Sequence, residues 1–337
     1  LGILPSGRDC YVPGVPLKNP SGATGARSFE WAGAIVCRNE RKAIGHCLRA
    51  VAAASVGHSM HVSVLVNGSS DASLDVARQA AGQLDLPISI YDIRRGCKSN
   101  AINQYLYGLR PVAKAYFFTD GYTQVDIAAL RTLDAALADH PDANAATAVP
   151  SVGRSAAASR EAMLRHGGLH GSLFALRSSF VDRLVARGLH LPVGLYRGDG
   201  LIGSLAMHDL DARTEWQPRR VVVTPATWRQ TPLSVLHSGD LVRYGRRLVR
   251  QAQGRMENAA IKAIIYERGY EALPNTVAAL IGQWLTGAPE QTPMVWRSPL
   301  GAYALRALRH EPPARPEDLA AKLVFGPTVG MAGTPAT

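Results

Sequence analysis

Two short stretches constrain this chain more than anything else in it: Ala34-Ile-Val-Cys-Arg-Asn-Glu40 and Val64-Leu-Val-Asn-Gly-Ser-Ser-Asp71. Each is an apolar run of strand type that stops abruptly in polar, turn-forming residues. Each is then followed by a helical pattern. In an open α/β sheet, ligands sit beyond the carboxyl ends of the strands, where such loops converge. Asn39, Glu40, Asn67, Ser69 and Asp71 are therefore expected around one crevice suited to a small polar ligand such as a nucleotide.

The alternation continues. Residues 31–36 read as a strand, and Ala43, Ile44, Cys47, Leu48 and Val51 then follow the three-four spacing of a helix with one buried face. Strands at 61–66 and 88–93 are followed by helices at 70–84 and 100–109. Residues 115–119 form a short, wholly apolar strand of the buried type, ending in Asp120-Gly121 and followed by a helix at 127–138. This order predicts a parallel, two-sided sheet for the first half. Further on, 144–149, 172–176 and 219–224 read as strands, and 178–186 and 275–285 as helices. A basic helical stretch runs from 233 to about 269. The expected fold is α/β: a Rossmann-like mixed sheet with helices on both faces and a helical C-terminal appendage. The expected organisation is an extended Pro- and Gly-rich arm over 1–28, a core over 29–232 and a basic helical region over 233–337. The core divides near 125 into a nucleotide-binding half and an acceptor half.

A hydrophobic content of 47% with 19% charged residues describes an ordinary folded protein. The net charge of +11 implies an anionic partner: nucleic acid, a phosphorylated substrate or an acidic membrane surface. The chain lacks the interleaved aromatic and basic residues of a single-strand groove, so nucleic acid is not expected. Cys10, Cys37, Cys47 and Cys97 form no CxxC pair and are too sparse for a disulfide framework, which favours a reducing compartment. No run approaches the roughly 20 apolar residues of a membrane span. The start, Leu1-Gly-Ile-Leu-Pro5, has no basic region before an apolar core, so no leader peptide is expected. A dehydrogenase is disfavoured because no G-x-G-x-x-G follows the first strand. Cys37-Arg38-Asn39-Glu40 is likewise not the Gly-rich phosphate loop of a nucleotidyltransferase.

Further motifs fall at the later strand ends: Gly96-Cys-Lys-Ser-Asn-Ala-Ile-Asn103, Thr119-Asp-Gly-Tyr122 and Gly171-Ser-Leu-Phe-Ala-Leu-Arg177. Leu191-Pro-Val-Gly-Leu-Tyr-Arg-Gly-Asp199 and Asp240-Leu-Val-Arg-Tyr244 complete the set. In this order, over roughly 31–250, the chain resembles the family 2 glycosyltransferases of the GT-A fold. The resemblance implies an inverting transfer from a nucleotide-diphosphate sugar, in first place a UDP-sugar, to a lipid-linked or polysaccharide-precursor acceptor. Both hexosyl and N-acetylhexosaminyl donors fit it. It also implies a role in bacterial envelope, polysaccharide or glycolipid synthesis, in the cytoplasm, with peripheral contact at the inner face of the cytoplasmic membrane. Departures are visible. Asn67 replaces the usual Asp, and Tyr122 stands where the second Asp of Asp-x-Asp supplies a metal ligand. Arg197-Gly198-Asp199 replaces Glu-Asp, and Asp240 and Tyr244 replace a Gln and a Trp.

The resemblance assigns Asp199 as general base, since in-line displacement needs one carboxylate opposite the leaving group. The bland alternative is a turn Asp paired with Arg197 at the surface. Arg38, Glu40, Asn67 and Asp71 are assigned to the nucleotide, with Ser69 or Ser70 capping a helix that starts near Ala72 as the structural alternative. Lys98 and Arg246 are assigned to the phosphates, and Arg243 to the leaving group. Asp120 is assigned to the ribose or to Mg²⁺ or Mn²⁺, which usually takes one or two carboxylates with phosphates and water. With Tyr122 beside it, a metal-free contact to phosphate is the other option. Arg250 and Arg255 read as a solvated basic face or a contact to anionic lipid. His166 and His170 have the spacing of a helical metal pair, but Gly167, Gly168 and Gly171 argue against a helix there. Trp216 and Trp228 suit either a sugar face or the core. The competing function is a degenerate protein that binds nucleotide sugar, or a partner, without turnover.

Overall fold

The structure is a computed structural model and describes residues 28–153, 156–230, 238–287, 298–310 and 314–328. β1 (Ser28–Cys37), β2 (Met60–Asn67), β3 (Ile88–Ile93) and β4 (Val112–Asp120) pair in parallel, as the alternation predicts. β5 (Gln124–Val125), β6 (Ala145–Pro150), β7 (Leu173–Arg177), β8 (Val221–Arg229) and β9 (Lys322–Phe325) complete the sheet. Among the described residues it has nine strands in the order β5-β8-β6-β7-β4-β1-β2-β3-β9. β7 runs antiparallel to β4 and β6, so the sheet is mixed. That reversal matters for the site. It brings the start of β7 beside the carboxyl end of β4, with Leu173 opposite Thr119.

Successive side chains of a strand point to opposite faces. Along β4, Ala115 and Phe117 therefore join one apolar cluster, and Tyr116 and Phe118 the other. On the first face, α1 (Ile44–Ala54), α2 (Ser73–Ala81) and α4 (Ala129–Asp139) bury Ile44, Leu48, Ala77 and Leu133 against Trp31, Ile35 and Val64. On the second face lie α3 (Lys98–Gln104), α6 (Ser178–Ala186) and α7 (Gly198–Met207). The C-terminal helices α8 (Ser238–Arg268), α9 (Val277–Gly287) and α10 (Pro299–Arg309) share their core. Phe118 and Phe174 stack at its centre, ring centroids 4.9 Å apart.

Several expected elements change length for local reasons. α2 starts at Ser73 rather than 70, because Asp71 turns back to accept the Ser73 N–H at 3.0 Å. Ser69 and Ser70 do not cap it; both bond to Asn39 instead. The helix expected over 100–109 ends at Gln104 and widens into a π-helical turn, Tyr105–Leu109, closed by the Arg110 N–H on the Tyr105 carbonyl. The sequence pattern does not anticipate α5 (Ala156–His166), which buries none of its residues, the short β5, or β9, which adds antiparallel to β3. Nor does it anticipate α7, whose first turn carries Asp199 where a loop is expected. His166 ends α5 and His170 lies beyond it in a non-helical segment. No helix among the described residues is long and apolar enough to cross a membrane.

Candidate functional site

The loops after β1, β2 and β3 interlock. Gly68 is at φ +57°, and a Cβ there would stand 2.4 Å from the Gly96 Cα, so both the backbone conformation and the close approach call for glycine. The Arg38 guanidinium crosses Gly96, and its Nη1 donates to the Gly96 carbonyl at 3.2 Å. Asn39, at φ 56°, donates its backbone N–H to Ser69 Oγ at 3.0 Å and accepts the Ser70 N–H on Oδ1 at 2.7 Å. The Glu40 N–H meets Ser73 Oγ at 2.7 Å. Asp71 accepts from the Ser73 N–H and hydroxyl on Oδ1 and from the Arg41 N–H, 3.3 Å away, on Oδ2. Burial opposes its charge, but the bonds from Ser73 and Arg41 outweigh that and hold the carboxyl below its usual range. Asn67, only 2% exposed, donates to the Cys37 carbonyl at 3.0 Å and ties the end of β2 to the end of β1. Arg38, Glu40, Asn67 and Asp71 thus belong to one joined wall.

Charge concentrates where β4 meets β7. The Asp120 carboxylate has a partner on each oxygen: the Lys98 ammonium at 2.5 Å from Oδ1 and the Tyr122 hydroxyl at 2.7 Å from Oδ2. Burial alone would lower the Lys98 pKa, but the Asp120 and Asp199 charges and the bond to Asp120 raise it, so Lys98 stays cationic. Its Nζ also donates to the Gly171 carbonyl at 3.2 Å. On the other side of the same residue, the Gly171 N–H donates to Asp199 Oδ2 at 3.0 Å. A Cβ on Gly171 would fall 2.7 Å from that oxygen, so a larger residue there must displace the carboxylate. Asp199 Oδ1 accepts the Gly200 N–H at 3.0 Å.

Arg197 is not its ion-pair partner. That side chain lies over Gly254 of α8, where a Cβ would come within 3.0 Å of the Arg197 Nε. Among the described residues Asp199 has no salt bridge. His170 borders this group. Burial lowers its pKa against the opposing pull of Asp199 and Asp120. Its Nδ1 accepts the Ser172 N–H at 3.2 Å, which leaves the proton of the neutral ring on Nε2. Trp228 packs 4.9 Å from the His170 ring and is buried, whereas Trp216 is 45% exposed and packs on His208.

One residue that sequence reasoning missed supports Asp199 from below. Glu257 of α8 is fully buried, and its two oxygens accept the Tyr196 N–H at 3.2 and 3.0 Å. Gln253, one turn earlier, donates to the same carboxyl at 2.7 Å. A buried carboxyl without such donors would be strongly unfavourable. Glu257 therefore pins Tyr196 and Arg197, the residues that lead into α7 and Asp199. α3 pins the preceding loop from the other side. Ser99 Oγ donates to the Pro192 carbonyl at 2.8 Å, and Asn103 pairs with both backbone groups of Leu191.

The side chains of Arg243 and Arg246 lie outside the described residues, as does the expected N-terminal arm up to residue 27. Arg250 and Arg255 are exposed, and the Arg250 guanidinium sits 6.0 Å over the Tyr196 ring. Cys37, Cys47 and Cys97 are free and buried. Burial, with Glu40 adding, pushes the Cys37 thiol up to about 12, which removes it as a nucleophile.

A carboxylate-held metal does not fit the residues at Asp120. Both oxygens are engaged, and the second position is a phenol that burial and the Asp120 charge keep protonated. Among the described residues no group of three or more His, Cys, Asp or Glu is placed to hold a metal ion.

No protein-family model matches the chain, and no curated protein matches it. Solved structures do resemble it at a distance. One is the mannosyltransferase PcManGT from Pyrobaculum calidifontis, in complex with GDP-Man and Mn²⁺. It is 16% identical, with 84% of this chain and 85% of that one covered and a TM-score of 0.49. Another is S. aureus TarS in complex with UDP-GlcNAc, 11% identical, covering 83% and 80%, TM-score 0.47. A third is glucosyl-3-phosphoglycerate synthase from Mycobacterium tuberculosis with Mn²⁺, UDP-Glc and phosphoglyceric acid. It is 14% identical, covering 63% and 75%, TM-score 0.42. These similarities name what the chain is like and assign it no activity.

Proposed function

We propose that this chain is an inverting glycosyltransferase that moves a sugar, hexosyl or N-acetylhexosaminyl, from a nucleoside-diphosphate sugar to an acceptor hydroxyl. A UDP-sugar is the first candidate donor, and a lipid-linked or saccharide precursor the acceptor. The observation that carries this reading is the placement of Lys98 and Asp199 on the carbonyl and amide sides of Gly171, at the carboxyl edge of the sheet. A fixed cation and a carboxylate then stand one residue apart. In a single displacement, the acceptor oxygen bonds to the anomeric carbon while the bond from that carbon to the diphosphate breaks. The acceptor proton passes to Asp199. The electron pair of the broken bond leaves on the diphosphate, whose charge Lys98 meets.

The joined wall of Arg38, Glu40, Asn67 and Asp71 is assigned to base and ribose. Arg243 and Arg246, one turn apart in sequence, are assigned to the diphosphate. Exposed Arg250 and Arg255 are assigned to an anionic membrane surface that presents the acceptor.

A panel of nucleotides and nucleotide sugars tests the donor site by thermal stabilisation, because a ligand that binds only the folded state raises Tm by mass action. A selective shift with UDP or GDP compounds is expected. Asp199→Asn should keep that shift and lose transfer. A donor-induced shift with no product from any donor or acceptor would instead favour binding without turnover. No shift with any nucleotide would overturn the donor reading.

A further inference from the structure

We propose that the donor diphosphate is bound without a divalent cation, its charge met by the Lys98 ammonium, with the Tyr122 hydroxyl holding Asp120 in place of a second carboxylate. This rests on the donor-site reading above. The first support is occupancy. Asp120 is the buried carboxylate at the end of β4, and its oxygens already accept from Lys98 at 2.5 Å and from Tyr122 at 2.7 Å. A metal on either oxygen would compete with the donor already seated there, and on Oδ1 that donor is a cation. Mg²⁺ and Mn²⁺ prefer anionic oxygens in near-octahedral array. Tyr122 offers none: its side chain is a neutral phenol whose hydroxyl donates to Asp120 Oδ2.

The second support is the geometry of Lys98. An ammonium has three N–H donors. One is spent on Asp120 and one on the Gly171 carbonyl, which leaves the third for a phosphate oxygen. The carboxylate keeps the amine charged and aimed, as a tether would. The third support is the surroundings. Asp199 is turned onto the Gly171 and Gly200 amides, and Asp71 is spent on Ser73 and Arg41. Neither carboxylate is directed with Asp120 at one point.

The test is calorimetric binding of UDP and GDP to the full chain, in EDTA and in Mn²⁺, beside an electron spin resonance titration of Mn²⁺ into the chain alone. The expected result is a UDP or GDP Kd that agrees within about twofold between the two buffers, with the free Mn²⁺ signal undiminished by protein. Lys98→Met should weaken nucleotide binding by roughly tenfold or more in both buffers, the size of a lost charge-assisted hydrogen bond. A Kd that weakens by about tenfold or more in EDTA, or Mn²⁺ taken up by the chain, overturns the proposal and leaves the donor reading standing. Unchanged nucleotide binding by Lys98→Met overturns the assignment to Lys98. Absence of nucleotide binding in both buffers overturns the donor reading and this proposal together. The wild-type comparison needs no variant, so misfolding of Lys98→Met leaves it decisive.

Discussion

The wall formed after β1, β2 and β3 and the centre around Asp199 are held in opposite ways. In the wall, neighbouring loops satisfy one another: Asn39 with Ser69 and Ser70, Glu40 with Ser73, Asp71 with Ser73 and Arg41. These partners come from the segments that follow β1 and β2, neighbours in the sheet, so strand order assembles most of it. At the centre, Asp199 depends on a glycine at the start of an antiparallel strand and on Glu257, which belongs to a helix of 31 residues late in the chain. The wall is robust because its contacts are many and shared. Apart from the adjacent Gly200 amide, the centre has few supports, each of long range, and should fail sharply when one is removed.

The largest expected effect follows from this. Asp199→Asn should lower transfer by roughly 10²–10⁴-fold, the usual worth of a general base, with donor-induced stabilisation retained. Gly171→Ala tests the support rather than the base. Its Cβ would stand 2.7 Å from Asp199 Oδ2, so the carboxylate must move. A displacement of about 1 Å at a reacting group costs on the order of a hundredfold in rate. The signature is a loss of kcat with nucleotide affinity little changed. Full activity in Gly171→Ala would show that Asp199 does not need this seat, and the contrast between wall and centre would break.

Glu257 gives a second contrast, read through pH. Burial raises its carboxyl from the ordinary 4.5 to about 7, against the pull of bonds from Gln253, Tyr196 and Arg197. Between those values the folded chain holds a proton that the unfolded chain has released. The contribution of Glu257 is therefore full below pH 4.5 and is lost as pH rises through about 7. Its span is on the order of 3 kcal/mol. His61, buried between β1 and β3 and lowered from 6.5 to about 4 by desolvation, acts in the opposite sense. The unfolded chain holds its proton up to pH 6.5, so its contribution rises with pH over almost the same window. The two nearly cancel in the wild type, and the difference between chains is the quantity to measure. In Glu257→Gln, Tm should climb with pH between 4.5 and 7 more steeply than in the wild type. Parallel Tm curves would show that Glu257 titrates normally, its bonds from Gln253, Tyr196 and Arg197 offsetting the whole effect of burial.

The same division explains what was legible in the sequence. β1 to β4 and their helices follow from apolar runs and three-four spacing, both local signals. Lys98, Asp120 and Asp199 came from motif order along the chain, and the structure gathers all three around Gly171. Glu257 was not legible. It is an acidic residue in a basic helix, and its burial is decided by the loop that lands on it. The small residues beside it, Ala252, Gly254 and Ala260, are the only trace. Gly254 is what admits Arg197, which sequence alone paired with Asp199. β9 was hidden for a similar reason. It has four residues, and its partner β3 lies far back in the chain.

The smallest expected effect sharpens the contrast from the other side. Asn39 holds a left-handed backbone, φ 56°, and its side chain accepts the Ser70 N–H at 2.7 Å. Asn39→Gly keeps the backbone conformation and removes only that bond, a loss of about 1 kcal/mol. Asn39→Ala removes the bond yet keeps a Cβ in the left-handed region, without the local side-chain bonding that lets Asn adopt it, and so stands roughly 1–2 kcal/mol below Asn39→Gly. The expected order of Tm is therefore wild type, then Asn39→Gly, then Asn39→Ala. Because the Asn39 amide still reaches Ser69 and the Glu40 amide still reaches Ser73, the wall should stay closed in both variants. Nucleotide-induced stabilisation should then survive with little change. A complete loss of it in Asn39→Gly would mean that the wall, like the centre, rests on single contacts, and the two regions would no longer differ in kind.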